Sequence, residues 1–183
     1  DLFSSEKMRR YACEIKKNQR IIFFWSVNKK MKLIKDVKIK KLHFNVDERG
    51  RLIEILRNDD EIFQQFGQLY ITTAYPGVVK GWHYHKKQDD YFYVIKGMAK
   101  IVLYDNREGS ETKGLINEFF MGDYNQMVLK IPKNVLHGFK CISEKECLIM
   151  NCPTYSYNPA EPDEYRLPAH TTEIPYDWSR KDG

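Results

Sequence analysis

The sequence predicts an all-β protein, a sandwich or barrel with one short helix. Three observations carry this. Runs such as "QLYITTAY", "DYFYVIKG", "MAKIVLYD", "QMVLKIP" and "KECLIMNC" are short and rich in β-branched and aromatic residues. Glycines, prolines or short polar loops separate them, as at the Pro76-Gly77 turn pair. After residue 30 a single segment carries helix punctuation.

The first 30 residues stand apart. "SSEKMRRYACEIKKNQR" puts Met8, Tyr11, Ala12 and Ile15 on one helical face after a serine cap. Met31 then opens "MKLIKDVKIKKLHF". Residues 1–30 are therefore expected to form a basic N-terminal extension, and residues 31–183 the functional domain. "VDERGRLIEIL" turns at Arg49-Gly50 and runs on as a strand. Asn58 with Glu61 three residues later makes a capping box, and Gly67 would stop the short helix "DDEIFQQF". The five apolar runs follow as strands. The Pro-rich end, "YNPAEPDEYRLPAHTTEIPYDW", is expected to wrap the barrel irregularly.

Composition excludes several function classes. With 42% hydrophobic and 14% aromatic residues in 183, the chain can bury a core. The net charge of +5 sits entirely in residues 1–30, which hold eight Lys/Arg against three Asp/Glu; the remainder has 22 of each sign. The main domain has no basic excess for a phosphate backbone, so no nucleic-acid partner is expected. Cys13, Cys141, Cys147 and Cys152 form no CxxC pair and no zinc spacing, which fits reduced thiols in a cytoplasmic protein. "IIFFWSV" spans seven residues against the ~20 a membrane helix needs, and "NKK" follows it instead of a cleavage site. Neither export nor a membrane anchor is expected.

The stretch "KGWHYHKKQDDYFYVIKG" carries the chemistry. On a strand, residues two apart share a face, so His83 and His85 point one way and Trp82 and Tyr84 the other. The spacing Gly77, five residues, His83, one, His85, four, Asp90, six, Gly97 resembles the first signature of the cupin superfamily, with Asp in place of its usual Glu. Pro132, Asn134 and His137 in "IPKNVLHGF" partly match the second signature. Asn134 stands for a Gly, as Asn tolerates left-handed backbone, while Gln126 and Cys141 replace the remaining Gly and Asn. The resemblance implies a double-stranded β-helix (jelly roll) with inward-pointing histidines. If His83, His85, Asp90 and His137 converge, they offer three imidazoles and a carboxylate to a divalent transition metal. Without metal, a histidine inside such a barrel is a natural general base.

Longer matches are similar to the dTDP-4-dehydrorhamnose 3,5-epimerases. "DERGRLIE", "GVVKGWHY", "IPKNVLHGF" and the tail "YNPAEPDEYR…IPYDW" occur in that family's order, over roughly residues 31–178. The resemblance implies a dimeric enzyme without metal or other cofactor that abstracts protons next to the ketone of a nucleotide-linked 4-keto-6-deoxy sugar. It puts the base on His83 and a pocket histidine on His137. It puts nucleotide and diphosphate contacts on Arg49, Glu54, Gln68 and Lys80, the last where the family usually has Arg. Three positions depart: the tyrosine acid falls on Met150, the enolate-holding lysine near Asp90, and the aspartate that orients the base near Leu167. Tyr155, Tyr157, Glu164 and His170 are candidate substitutes.

"KGWHYHKK" also resembles the corresponding run of the dTDP-4-keto-6-deoxyhexose 3,4-ketoisomerases, which use both histidines and a tyrosine one strand upstream; Tyr70 lies at about that place. The expectation is thus a 3,5-epimerase-type isomerase for polysaccharide or glycan synthesis. His83 is the expected base, His85 its partner or a second proton carrier, and Tyr70 the acid or oxyanion donor. The alternatives are a 3,4-ketoisomerase or single-carbon epimerase, and a metal-binding cupin. Deleting residues 1–30 is expected to leave folding and activity intact, which circular dichroism and an activity assay of the truncated chain would check.

Overall fold

A computed structural model of the chain describes residues 31–182. The helix expected between residues 8 and 15 lies outside the described residues. Twelve strands follow in order: β1 (Lys38–Lys41), β2 (Phe44–Asp47), β3 (Gly50–Ile53), β4 (Tyr70–Ala74), β5 (Val79–Tyr84), β6 (Asp90–Lys96), β7 (Met98–Tyr104), β8 (Ile116–Gly122), β9 (Met127–Ile131), β10 (Leu136–Cys141), β11 (Cys147–Asn151) and β12 (Tyr165–Arg166). They build two five-stranded sheets, β1-β9-β6-β11-β4 and β12-β5-β10-β7-β8, and a β2-β3 hairpin. Within the two five-stranded sheets all neighbouring strands are antiparallel, and except for the consecutive pair β7 and β8 they are far apart in sequence, which is the jelly-roll arrangement.

The two sheets face each other across one apolar core. Phe92 and Val94 of β6, Ile101 and Leu103 of β7, Leu129 of β9, Phe139 of β10 and Ile149 of β11 all point into it. Each such side chain contributes roughly 1.5–3 kcal/mol by leaving water. Both outer faces are covered as well. Ile62 packs on Tyr91, Tyr93 and Val128 of the first sheet. Ile174 and Trp178 of the C-terminal segment pack on Trp82, Val102 and Leu136 of the second. Burial on two faces explains why "DYFYVIKG" reads as a continuous apolar run instead of alternating.

The tail is bound by specific contacts. Lys140 Nζ donates to the Trp178 carbonyl at 2.8 Å, and Tyr176 Oη to Glu118 at 2.5 Å. The Lys100 ammonium lies 5.2 Å from the Tyr176 ring centre. Trp178 rests where Gly138 and Gly81 bring two strands close together. A Cβ on Gly138 would stand 2.8 Å from Gly81 Cα and 3.2 Å from the Trp178 ring.

The turns follow their sequence signals. Pro76-Gly77 closes a turn with Gly77 at φ 78° and a Val78 N–H to Tyr75 carbonyl bond of 3.0 Å. Asn134 is left-handed at φ 63°, the conformation that let it stand for glycine.

The short helix does not form, and residues 58–62 make turns instead. Tertiary partners claim the groups a helix would pair. The Asp60 carboxylate, not Asn58, accepts the Arg57 N–H at 2.7 Å and also holds Lys40. The Ile62 carbonyl accepts Tyr91 Oη at 2.9 Å, and Gly67 N–H goes to the Pro153 carbonyl at 3.0 Å. Gly67 serves close approach, since a Cβ there would lie 2.2 Å from the Tyr155 carbonyl carbon.

Gly138→Ala is expected to destabilise the fold by about 1–3 kcal/mol through overpacking, read as a lower urea midpoint at unchanged m-value.

Candidate active site

At one end of the jelly roll the inward positions turn from apolar to polar. They line a cavity of about 910 Å³ whose walls include Tyr70, Thr72, Lys80, His83, His85, Asp90, His137 and Asn151, with Phe92 and Phe139 adjoining the core. The alternation of β5 decides who enters. Trp82 is 1% exposed and packs on Trp178, its ring centre 5.0 Å away, so His83 and His85 must face the cavity. β10 pairs with β5 so that His137 stands opposite His83, their rings edge to face at 6.2 Å. Four of the expected site residues, His83, His85, His137 and Tyr70, are therefore brought together, and Gln68 and Lys80 join them in the lining. Lys80 Nζ donates to Thr72 Oγ1 at 3.0 Å. Arg49 and Glu54 are not brought there. Arg49 is ion-paired with Asp47 at 2.6 Å, and Glu54 with Arg57 at 2.9 Å, both in solvent outside this cavity.

The most buried part of the site is built on Asp90, which is 1% exposed. Its Oδ1 accepts from Gln88 Nε2 at 3.0 Å. Its Oδ2 lies 3.2 Å from His85 Nε2 and 3.4 Å from His137 Nε2, yet it has no partner with hydrogen-bond geometry. The other nitrogen of each ring is held by backbone: His85 Nδ1 by the Asp163 carbonyl, His137 Nδ1 by the Val135 carbonyl at 3.1 Å. His83 is not part of this cluster. Among the described residues no hydrogen-bond partner reaches its ring.

The electrostatics separate the histidines. Burial, helped by the neighbouring His137, pushes His83 down to about 4, so it is a neutral imidazole. Burial alone would lower His85 too, but the Asp90 carboxylate and the Asp163 carbonyl raise it to about 8. Burial would raise Asp90, yet the contacts to His137 and His85 outweigh it and hold the carboxyl well below its usual range. Tyr70 is raised by partial burial and by the charge of Asp90.

Two residues escaped sequence reasoning. Met150, where an ungapped comparison expects a tyrosine acid, packs on the outer face of its sheet. The cavity-facing position of β11 is the next one, Asn151. Its partner across the sheet is Tyr70, and Asn151 Nδ2 donates to Tyr70 Oη at 3.0 Å. A phenol thus stands one strand over from the expected place. Asp163 was also missed. Its carboxylate accepts the N–H groups of Lys86, Lys87 and Gln88 at 2.9, 2.8 and 3.3 Å, closing the loop after β5 on the tail. Only the run of acidic residues in "AEPDEY" hinted at it.

Comparison with known proteins gives the family. The family described as dTDP-4-dehydrorhamnose 3,5-epimerase matches residues 31–183. The spore coat polysaccharide biosynthesis protein SpsL of Bacillus subtilis is 44% identical over 147 residues, covering 80% of this chain and 97% of that protein. A probable low-salt glycan biosynthesis epimerase of Haloferax volcanii is 40% identical over 148 residues, covering 80% and 95%. Among solved structures, a dTDP sugar isomerase from Desulfovibrio desulfuricans superposes with a TM-score of 0.76 at 30% identity, covering 81% of this chain and 94% of that one. By sequence and fold, the chain belongs to the dTDP-4-dehydrorhamnose 3,5-epimerase family of isomerases.

Proposed function

We propose that the protein epimerises a nucleotide-linked 4-keto-6-deoxy sugar by removing and returning a proton next to the ketone. The observation that carries this reading is His83, a neutral imidazole in the cavity wall with an unclaimed ring. A base must reach the C–H beside the carbonyl, and a neutral imidazole free of other partners can do so. Tyr70 is the acid. Asn151 donates to its oxygen, which leaves the phenolic hydrogen free to be donated in turn. Lys80 and Gln68 line the same cavity and supply a charge and an amide for the diphosphate and nucleotide. The developing enolate oxygen needs donors around it, which this polar end of the barrel offers.

The setting follows from the family and from the relatives' roles in polysaccharide and glycan synthesis. We place the enzyme in the cytoplasm, without nucleic-acid or membrane partners, as a homodimer. No helix among the described residues is long and apolar enough to cross a membrane. β4 is the edge of its sheet, with Leu69, Ile71 and Tyr75 exposed on or beside it, and Val46 and Leu52 are exposed on the β2-β3 hairpin. An apolar edge of this kind supports self-association. Arg49 and Glu54 contact a substrate only if the hairpin region of one copy lies against the cavity of another.

Proton NMR in D2O with dTDP-4-keto-6-deoxyglucose tests the reading. Deuterium is expected at C3 and C5; exchange at C3 alone with a 3-keto product would instead identify a ketoisomerase, and no exchange would reject this substrate. His83→Asn is expected to slow exchange by about 10²–10⁴, and Tyr70→Phe to slow proton return while the fold is kept. Ile71→Glu is expected to shift the species seen by light scattering from dimer to monomer.

A further inference from the structure

We propose that the cavity between the outer face of the second sheet and the C-terminal residues is a binding site for a phosphate-type oxyanion. It encloses about 670 Å³ and shares no wall residue with the active-site cavity. Lys100 of β7 and Lys140 of β10 line it and stand directly opposite each other across the two strands. Like charges placed in this way repel and destabilise the pair unless something negative comes between them. Arg180 and Lys181 add two more cations to the walls.

Lys100 is the observation that carries the site. The residue is 5% exposed, yet among the described residues no oxygen accepts a hydrogen bond from its Nζ and no carboxylate pairs with it. It meets ring faces instead, 5.2 Å from the Tyr176 centre and 5.6 Å from the Trp178 centre. The rings attract the charge but offer no lone pair, so the ammonium keeps its three N–H donors unspent. Burying a charge in that state is costly. Burial pushes the Lys100 ammonium below its ordinary pKa; Glu118 opposes this, while Lys140 and Lys181 add to it. An anion in the cavity would remove the cost.

The carboxylates nearby are already engaged elsewhere. Glu118 Oε1 accepts from Tyr176 Oη at 2.5 Å, and its Oε2 faces Lys181 Nζ at 3.4 Å. Asp177 accepts the Ser179 N–H at 2.8 Å. Glu144 stands exposed on the loop after β10. The cations are less committed. Lys140 Nζ spends one donor on the Trp178 carbonyl at 2.8 Å and keeps two. Arg180 has a loose contact of 3.8 Å with Asp182, both in solvent, so its planar fork is available to an oxyanion. The walls thus carry four cations against two carboxylates, Glu118 and Glu144. Phe120 and Ile142, 49% and 44% exposed, add an apolar side. That side suits the body of a small molecule carrying the phosphate, such as a phosphorylated sugar, and the volume leaves room for it.

The test uses the full chain and does not need activity. Inorganic phosphate and glucose 1-phosphate are titrated separately, each against chloride of equal ionic strength, and calorimetric heat and melting temperature are read. Saturable binding with a Kd of about 1 mM or tighter is expected for at least one of the two probes. Equal affinity for both means that the site takes the free ion; tighter binding of glucose 1-phosphate means that it takes the carried group. Lys100→Met is expected to weaken binding by about tenfold or more. The same variant is expected to raise the melting temperature of the ligand-free protein, since it removes an unpaired buried charge. Lys140→Gln is expected to weaken binding as well, and it decides alone if Lys100→Met does not fold. Lys80→Met, in the other cavity, is expected to leave binding unchanged. No saturable binding of either probe, or undiminished binding in both folded variants, overturns the site. Loss of binding in Lys80→Met but not in Lys100→Met would put the anion in the active-site cavity and overturn it equally.

Discussion

Burial of Trp82 is the constraint on which the site depends. The indole is 1% exposed between the second sheet and the C-terminal segment, against Trp178 and Tyr176 at 5.0 and 5.8 Å. A strand has period two, so a one-residue slip would drive this ring into the polar cavity and push both histidines onto an apolar face. The register of β5 is therefore fixed by packing on the side away from the chemistry. β10 inherits it, with Leu136 on the covered face and His137 on the cavity face. The close Gly81–Gly138 approach lets Trp178 sit down on both strands at once.

The second constraint is the buried carboxylate. An ionised Asp in a low-dielectric interior is costly unless it is paired. Asp90 occupies the first inward position of β6, where the next inward residue, Phe92, already belongs to the core and meets His137 edge to face at 5.6 Å. The change from apolar to polar thus takes place within one step of a strand. His85 and His137 supply the compensation, and backbone carbonyls hold both rings in position.

The C-terminal segment joins the two constraints. One part of it covers Trp82. Another part, around Asp163, clasps the loop after β5 through three N–H groups and fixes His85 through its carbonyl. Lys86 adds a cation–π contact, 4.1 Å from the Tyr165 ring centre. What reads in the sequence as an irregular wrapping is therefore also part of the wall of the site, since Glu164 and Arg166 line the cavity.

Much of this was legible in the sequence because its physics is local. Strand runs, the Pro76-Gly77 turn, the left-handed Asn134 and the shared face of His83 and His85 follow from side-chain shape, backbone sterics and a period of two. The helix over "DDEIFQQF" was not, because its local capping signal lost to a hydrogen bond from Tyr91 to the Ile62 carbonyl and one from Gly67 N–H to the Pro153 carbonyl, both partners far away in sequence. Nor was the hydrogen bond from Asn151 on β11 to Tyr70 on β4, which exists only through the pairing of those two strands. The exclusion of His83 from the cluster that gathers His85, Asp90 and His137 was equally hidden. Spacing along the chain determines which face a residue takes, but only the packing of strands from four separate regions decides which faces meet, and at what distance.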